Sequence, residues 1–227
     1  MTIIPIALGD DHHGIAEQTF ARLRADIIAG DLKPGTRLRL EGLKRDYGAS
    51  VSTLREILNR LATEGFVEAE GQKGFEVAPA TASGLHEIGE LRLVLETHAL
   101  SKSLAMGDLD WEGRVVAAHH KLAAIEKKLV EGDTSRTLEW VRYDFDFHAA
   151  LISACGSRAL MDMHASVFDK FIRYHMLAAS FRGRAVTNDH RELFDLALKR
   201  DVAAATGKLA LHINAGIDHV LASGRIT

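Results

Sequence analysis

The feature that most limits the fold is one stretch with strand periodicity, FVEAEGQKGFEVAPA, at residues 66–80. Apolar and polar residues alternate in FVEAE and in FEVAP, and these two runs flank GQKG, a turn bounded by glycines. This pattern predicts a β-hairpin. No other segment has a comparable strand pattern, because the apolar residues elsewhere recur at helical spacing. The sequence therefore predicts a mainly α-helical protein with one hairpin.

Three helices are predicted before the hairpin, at about 15–30, 40–47 and 53–64. Gly48, between the second and third, supplies the positive φ that a tight helix-to-helix turn needs. Thr53 and Glu56 match a T-x-x-E capping box and predict the start of the third helix. Three helices followed by a hairpin is the order of a winged helix-turn-helix. We therefore predict a candidate DNA-binding domain at residues 1–79, although the same geometry occurs in proteins that bind no DNA.

The chain after the hairpin has helical periodicity throughout. The small-residue segment PATASG at 79–84 separates it from the hairpin. The predicted helices lie at about 83–105, 110–131, 135–155, 157–179, 187–199 and 201–222. Short connections between long amphipathic helices are typical of an antiparallel bundle. We therefore predict a second, all-helical domain at residues 84–227.

Composition excludes several classes of protein. The 227 residues are 47% hydrophobic and 26% charged. The sequence has no run of about 18 apolar residues, so it predicts no transmembrane helix. The start, MTIIPIALGDDHH, lacks the basic and apolar regions of a secretory signal. Cys155 is the only cysteine, which excludes an internal disulfide. We therefore expect a cytoplasmic protein with no membrane partner.

The charge is unevenly distributed along the chain. The net charge of −3 argues against binding nucleic acid through bulk charge, but residues 33–60 contain seven basic and three acidic side chains. Because salt screens charges beyond about 8–10 Å, such a segment can face phosphates in an acidic protein. Ser52 and Arg55 lie off the apolar stripe of the third helix, where they suit phosphate and base contacts. Solvated surface charges would give the same pattern.

The run DFDFH at 144–148 places two carboxylates and an imidazole on one predicted helix. At about 100° per residue, Asp144 and His148 lie about 40° apart within an apolar arc, whereas Asp146 lies about 200° from Asp144. Asp146 is therefore expected on the solvated face, one turn after Arg142. A buried aspartate and histidine need partners, because an unpaired buried charge is very costly. They form either a hydrogen bond that closes the core or part of a metal site.

Two further histidines are consistent with the metal alternative. His190 shares an inward stripe with Leu193, and His212 shares one with Leu209. One carboxylate and three imidazoles suit a divalent ion such as zinc, nickel, manganese or iron. A metal-dependent hydrolase using these four residues is an alternative function, but four protein ligands leave little room for the open position that hydrolysis requires. A structural polar cluster without metal is a third possibility.

The segment LKPGTRLRLEGLKRDYGASVSTLREILNRLATEGFVEAEGQKGFEVAPA (32–80) resembles the DNA-binding domain of the GntR family of bacterial transcriptional regulators. The resemblance implies that the start of the third helix contacts operator DNA and that the wing tip enters the minor groove. The candidate DNA-contacting residues are Arg37, Arg45, Ser50, Ser52, Thr53, Arg55, Gly71, Gln72 and Lys73. Many members carry arginine at Val51, proline at Thr53 and an acidic residue at Leu40, so the operator sequence does not transfer from them.

Residues 84–222 resemble the FCD ligand-binding domain of the FadR subfamily, through LHEIGELRLVLETHAL, DFDFHAALISACGSRAL and DHRELFDLALKRDVAAATGKLALHI. The resemblance implies a divalent transition metal, with zinc preferred, and four ligands: Asp144, His148, His190 and His212. Arg92 lies on an inward stripe and is the candidate to bind a small carboxylate effector; an ion pair with Glu96, one turn later, is the alternative. The implied function is a ligand-responsive regulator that binds a near-palindromic operator as a homodimer.

Overall fold

The computed structural model of the chain describes residues 14–69, 74–179 and 181–226, which form two compact units at residues 14–81 and 82–226. The first unit contains α1 (Ile15–Ala29), α2 (Leu40–Tyr47), α3 (Val51–Thr63), β1 (Val67–Ala69) and β2 (Phe75–Val77). The second contains α4 (Ala82–Met106), α5 (Leu109–Val130), α6 (Thr137–Ile152), α7 (Arg158–Ala178), α8 (Arg184–Leu198) and α9 (Val202–Ala222). The predicted class, mainly helical with one hairpin, is confirmed.

The helices of the first unit pack on a shared apolar core. Leu54, Leu58 and Leu61 form the buried stripe of α3, and Leu23 and Ile27 of α1 are equally buried. The predicted ends of α1 and α2 are confirmed, since the glycine after each helix has a left-handed φ, 86° after α1 and 72° after α2.

The start of α3 differs from the prediction. The helix begins at Val51, and the Ser50 side chain accepts a hydrogen bond from the Thr53 amide at 3.2 Å. Thr53 therefore lies inside the first turn, so the predicted Thr53–Glu56 capping box is wrong. A serine three residues before Thr53 offers the same hydroxyl acceptor, and its extended backbone allows it to cap the helix.

The hairpin pairs β1 and β2 in antiparallel register, with Val67 opposite Val77. The connection between α1 and α2 also joins this sheet. The Leu38 amide donates to the carbonyl of Phe75 at 2.8 Å, and Arg37 forms a bridge with Glu76. This additional pairing covers one edge of β2 and ties the α1–α2 connection to the wing.

In the second unit, α4 packs on α7 and α9, α5 packs on α6 and α8, and α8 packs on α9. The boundaries of α6 and α8 differ from the prediction: a 3-10 turn at Thr134–Arg136 precedes α6, and α8 begins at Arg184 rather than at residue 187. Among the described residues, no helix is long and apolar enough to span a membrane.

The core of this helical unit contains charged and polar side chains as well as apolar ones. Large apolar residues such as Trp111, Phe147 and Phe168 are fully buried. Several ionisable side chains on the same helices are also buried: Arg92, Glu96, Glu126, Asp144, His148, His164, His175, His190 and His212. Because buried charges need partners, this polar group within an apolar core identifies the region where function is expected.

Candidate functional site

Three helices each contribute one buried histidine to the same point. His148 on α6, His190 on α8 and His212 on α9 are 1%, 0% and 6% exposed. One ring nitrogen of each lies within 4.8 Å of the other two. The helical stripes predicted that these rings point inward, and the packing of α8 on α9 and of α6 against the same core brings them together.

Two of the imidazoles are held by buried glutamates. The Nδ1 atom of His148 lies 2.8 Å from Oε2 of Glu96, and that of His190 lies 2.7 Å from Oε1 of Glu126. The Nε2 atoms of both rings have no hydrogen-bond partner among the described residues. Histidine ligands of metals are commonly oriented in this way, with a carboxylate on one ring nitrogen and the ion on the other.

His212 has a different environment on its Nδ1 atom. Oδ2 of Asp189 lies 3.4 Å away, and Nη2 of Arg182 lies 3.1 Å away. Asp189 also binds Arg182 at 3.2 Å and Lys208 at 2.8 Å. The Nδ1 side of this ring is therefore occupied by a charged network, which leaves Nε2 as the atom for a ligand.

Asp144 contacts one histidine of the cluster. Its Oδ1 atom lies 3.1 Å from Nε2 of His190, yet neither atom has a hydrogen bond of acceptable angle. The alternative of a direct Asp144–His148 hydrogen bond is not found among the described residues, where His148 uses Nδ1 for Glu96 and its Nε2 atom has no partner. Both residues point inward, and each binds a different partner.

The unpartnered atoms test whether a metal fits here. Within the described part of the chain, His148 Nε2, His190 Nε2 and Asp144 Oδ1 are buried without a hydrogen bond. Leaving a buried polar atom unsatisfied costs about 1–3 kcal/mol. A divalent ion would satisfy all three atoms together with His212, and three nitrogens with one oxygen form a donor set that zinc accepts. The residues therefore fit the metal that the sequence predicted.

The protonation states follow from burial and from the nearby charges. Burial raises the pKa of Asp144, but contact with His190 outweighs it and holds that pKa below its usual range. Burial lowers the pKa of His190, but Asp144 and Glu126 outweigh it and raise that pKa to about 9. Burial lowers the pKa of His148 and of His212. Those two rings are therefore neutral near pH 7, whereas His190 must lose a proton to bind an ion.

A cavity of about 20 Å³ adjoins the cluster, and Arg92, Asp144 and His212 line it together with Trp140 and Arg182. This volume holds about one water molecule, so a larger ligand requires lining side chains to move. Arg92 is 2% exposed. Its Nε atom donates to Glu96 at 2.6 Å, and its Nη2 atom has no hydrogen-bond partner in residues 14–69, 74–179 and 181–226. The ion pair with Glu96 is therefore present, and Arg92 also borders the cavity, so its role toward a carboxylate effector stays a prediction.

The sequence pattern did not indicate Glu126, Asp189 or Arg182 as site residues, and it indicated Glu96 only as a partner of Arg92. Glu126 lies on α5, far from the recognised motifs in sequence. Asp189 directly precedes His190 but contacts His212 on the next helix. The signal that was available is an acidic residue among the apolar positions of a helix, since such a residue needs a buried partner.

The predicted DNA-contacting residues lie on the first unit. Ser50, Ser52 and Arg55 are exposed at the start of α3. Ser50 Oγ is 2.8 Å from the Ser52 hydroxyl and 2.9 Å from that of Thr53, so these three hydroxyls form one cluster. The helix N-terminus beside them favours anions, which is the chemistry that a DNA phosphate requires.

The remaining predicted contacts are dispersed around α3. Arg45 is exposed on α2 and pairs with Asp46 at 2.9 Å. Arg37 is exposed and lies 3.9 Å from Glu76. Three wing residues lie outside the described part of the chain: Gly71, Gln72 and Lys73.

Comparison with known proteins identifies the family. A model of the FCD domain matches residues 87–215, more than half of the chain, and a model of the gntR family of bacterial regulatory proteins matches residues 15–77. The chain is 36% identical over 219 residues to the HTH-type transcriptional regulator BphR of Paraburkholderia xenovorans (strain LB400), which covers 96% of this chain and 88% of BphR.

A second relative and a solved structure agree. The HTH-type transcriptional repressor GlaR of Escherichia coli (strain K12) is 32% identical over 199 residues, 84% of this chain and 89% of GlaR. The structure of E. coli McbR/YncC has the same fold, with a TM-score of 0.75 at 20% identity over 93% of this chain and 99% of that one. These families and relatives are transcriptional regulators rather than enzymes, so the hydrolase alternative is set aside. The chain belongs to the GntR family of DNA-binding transcriptional regulators and carries an FCD effector-binding domain.

Proposed function

We propose that this regulator acts as a cytoplasmic homodimer that binds a divalent metal and a small carboxylate in its helical domain and a near-palindromic operator through its winged domain. The observation that carries the metal and effector parts is the convergence of His148, His190 and His212 beside a cavity that Arg92 also borders. We assign the winged domain to residues 1–79 and the helical domain to residues 84–227.

The metal is held by one carboxylate and three imidazoles. The four proposed ligands are Asp144, His148, His190 and His212. Zinc is the preferred ion, because it accepts nitrogen and oxygen ligands without strict geometric demands. When bound, such an ion would act as a Lewis acid toward a carboxylate ligand.

The lining of the cavity favours a negatively charged ligand. Arg92 and Arg182 both border it, and Asp144 is the one acidic side chain among its described lining residues. The Nη2 atom of Arg92 is buried and has no hydrogen-bond partner among the residues that the structure describes, so an anion that accepts its hydrogen bond removes an unsatisfied donor. Since Asp144 is assigned to the metal, the cavity has no carboxylate available for a cationic group. The effector is therefore a small organic acid.

The operator response follows from the symmetry of a dimer. Two recognition helices bind two half-sites only when their separation matches the helical repeat of DNA. Effector binding in the helical domain changes the spacing of the winged domains, so that one state docks both helices and the other does not. The α4 helix begins at Ala82, directly after the winged unit ends, and is the element that transmits the change.

Fluorescence anisotropy with a labelled duplex from the region upstream of the gene tests this function. We expect specific binding by zinc-loaded protein and a roughly 5- to 150-fold change in DNA affinity with one member of a panel of small carboxylates, the usual range of allosteric coupling. Arg92→Gln should lose the response to that acid. Arg158→Gln should keep it, because Arg158 is 94% exposed on the surface of the helical unit.

Two results would contradict the proposal. Absence of specific binding to the upstream duplex, in both the presence and the absence of the acids, would reject the proposed operator. Specific binding that no carboxylate changes, with or without zinc, would reject the proposed effector class and leave a constitutive DNA-binding protein.

A further inference from the structure

Glu96 is a buried carboxylate with three polar partners. It lies on α4 and is 0% exposed. Its Oε2 atom accepts from Nδ1 of His148 at 2.8 Å. Its Oε1 atom accepts from Nε of Arg92 at 2.6 Å and lies 3.0 Å from Nε2 of His164. One side chain thus contacts a proposed metal ligand, the proposed effector arginine and a histidine of α7.

The side chains around Glu96 favour its ionised form. Burial raises the pKa of a carboxyl group, but the charge of Arg92 and the hydrogen bond from His148 outweigh burial and hold the pKa of Glu96 well below its usual range. A charged carboxylate has enough lone pairs to accept from three donors at once. No neutral side chain of this size can do the same.

Glu126 provides an internal comparison. It is 1% exposed, and its Oε1 atom lies 2.7 Å from Nδ1 of His190. Glu126 therefore orients one histidine of the cluster. Its Oε2 atom has no hydrogen-bond partner in the described residues. Glu96 and Glu126 are therefore equally buried, but only Glu96 connects a histidine of the cluster with the arginine at the cavity.

We propose that Glu96 is a positioning residue that anchors the metal ligand His148 and the effector arginine Arg92 with one carboxylate, so that metal binding and anion binding depend on the same side chain. This inference rests on the proposed function and adds a coupling between its two ligands. Glu96 touches neither ligand itself and acts through His148 and Arg92.

The two oxygens of Glu96 have separate effects. Acceptance from Nδ1 fixes the tautomer of His148 in which Nε2 has a free lone pair for an ion. Acceptance from Nε orients the Arg92 guanidinium over the rings of Phe168 and Phe171, at 4.4 and 4.7 Å, and leaves Nη2 for an anion. A glutamine in place of Glu96 offers one acceptor oxygen and turns an N–H toward one of these donors. It therefore cannot hold both partners.

Cobalt titration of Glu96→Gln and of Glu126→Gln tests the metal half. The visible absorption of bound Co²⁺ reports both affinity and ligand geometry. We expect each variant to bind Co²⁺ about 10- to 100-fold more weakly than wild type, the usual effect of removing a carboxylate that orients a ligand histidine. An unchanged cobalt affinity in Glu96→Gln would overturn the inference.

Acetate titration of the cobalt-saturated proteins tests the shared role. Acetate is the probe because it is the smallest carboxylate with a methyl group. We expect Glu96→Gln to bind acetate about tenfold more weakly than wild type, since the orientation of Arg92 is lost, and Glu126→Gln to stay within about twofold. Equal acetate affinities for the two variants would show that Glu96 acts on the metal alone and would overturn the coupling.

A third measurement needs no metal and separates this inference from the proposed function. Long-range ¹H–¹⁵N spectra of the chelator-treated wild type, assigned with His148→Ala, should show His148 protonated on Nδ1. A proton on Nε2 would overturn the inference even in a protein that binds cobalt. Failure of wild type to bind cobalt would reject the proposed metal, while this tautomer would still decide the role of Glu96, including when Glu96→Gln does not fold.

Discussion

The winged unit and the helical unit place their polar side chains in opposite ways. At the start of α3, Ser52 and Arg55 are exposed and lie outside the apolar core of their unit. In the helical unit, Glu96, His148 and His190 are within the core itself and at most 1% exposed. Exposed polar groups can bind a partner molecule without affecting the stability of the fold. Buried polar groups affect both stability and function, because each one needs a hydrogen-bonding or charged partner within the core.

The largest expected effect is the loss of metal from His148→Ala. Removing one of four ligands, together with the Glu96 hydrogen bond, should reduce bound zinc from about one per chain to a trace at micromolar protein. The zinc-dependent rise in melting temperature should vanish with it, since an ion stabilises only the state that it binds. Metal analysis and thermal unfolding of dialysed protein measure both.

His120→Ala is the matched control, because His120 is exposed on α5 and outside the cluster. It should retain the wild-type zinc content. Equal zinc contents in the two variants would remove His148 from the ligand set and would weaken the contrast between buried and exposed histidines.

Much of the fold was predictable because the relevant signals are local. Gly48 ends α2 with a left-handed φ, and the apolar stripe of α3 follows directly from helical spacing. Helical spacing also predicted that Asp144 and His148 point inward and that Asp146 lies on the solvated face; the first two are buried, whereas Asp146 is half-buried. The predicted start of α3 was wrong because Ser50 and Thr53 offer the same hydroxyl acceptor three residues apart. Propensity alone does not distinguish them.

The partners in the site were not predictable for a physical reason. A helical wheel gives the direction of a side chain but not the helix that faces it. Glu126 reaches His190 from 64 positions away, and Glu96 reaches His148 from 52 positions away. These contacts depend on how α4, α5, α6 and α8 pack, which residue spacing within one helix does not determine. The resemblance to a known family supplied the ligand set, but not the carboxylates that orient it.

The next largest expected effect is on DNA binding by the exposed side chains of the winged unit. Arg55→Ala should weaken operator binding by roughly 10- to 100-fold, because a direct arginine contact to a base is worth about 1–3 kcal/mol. It should leave the free energy of unfolding within about 0.5 kcal/mol of wild type, since the side chain is exposed on α3. Arg158→Ala should leave DNA affinity unchanged. An equal loss in both variants would indicate a general charge effect instead of a specific contact.

Two glycines, one packed against a neighbouring helix and one in open space, allow the effect of burial on stability to be compared. A Cβ on Gly89 of α4 would overlap the Cδ1 atom of Ile217, whereas a Cβ on Gly113 of α5 would meet no atom within 4 Å. Gly89→Ala should therefore lower the free energy of unfolding by about 1–3 kcal/mol through overpacking. Gly113→Ala should raise it by about 0.5–1 kcal/mol, because alanine favours a helix. Urea unfolding measures both, and a stabilised Gly89→Ala would show that the α4–α9 contact adapts.

The smallest expected effect is a pH dependence of stability that arises from a buried histidine of the helical unit. Burial, reinforced by the charge of Arg92, lowers the pKa of His175 to about 3, whereas an unfolded chain has a histidine pKa of about 6.5. Below pH 6.5 the unfolded state takes up a proton that the folded state refuses. Stability is therefore complete above pH 6.5 and falls as the pH drops toward 3.

Between pH 7.5 and pH 5.5, this proton should cost about 1 kcal/mol of unfolding free energy. His175→Gln removes the titrating group, so its stability should fall less than that of wild type over this interval, by about that amount. His120→Gln, at an exposed position, should follow wild type within about 0.5 kcal/mol. Urea unfolding with a chelator present isolates the proton effect from metal binding. If all three proteins lose stability equally, His175 is protonated in the folded state and its burial does not control the pH response.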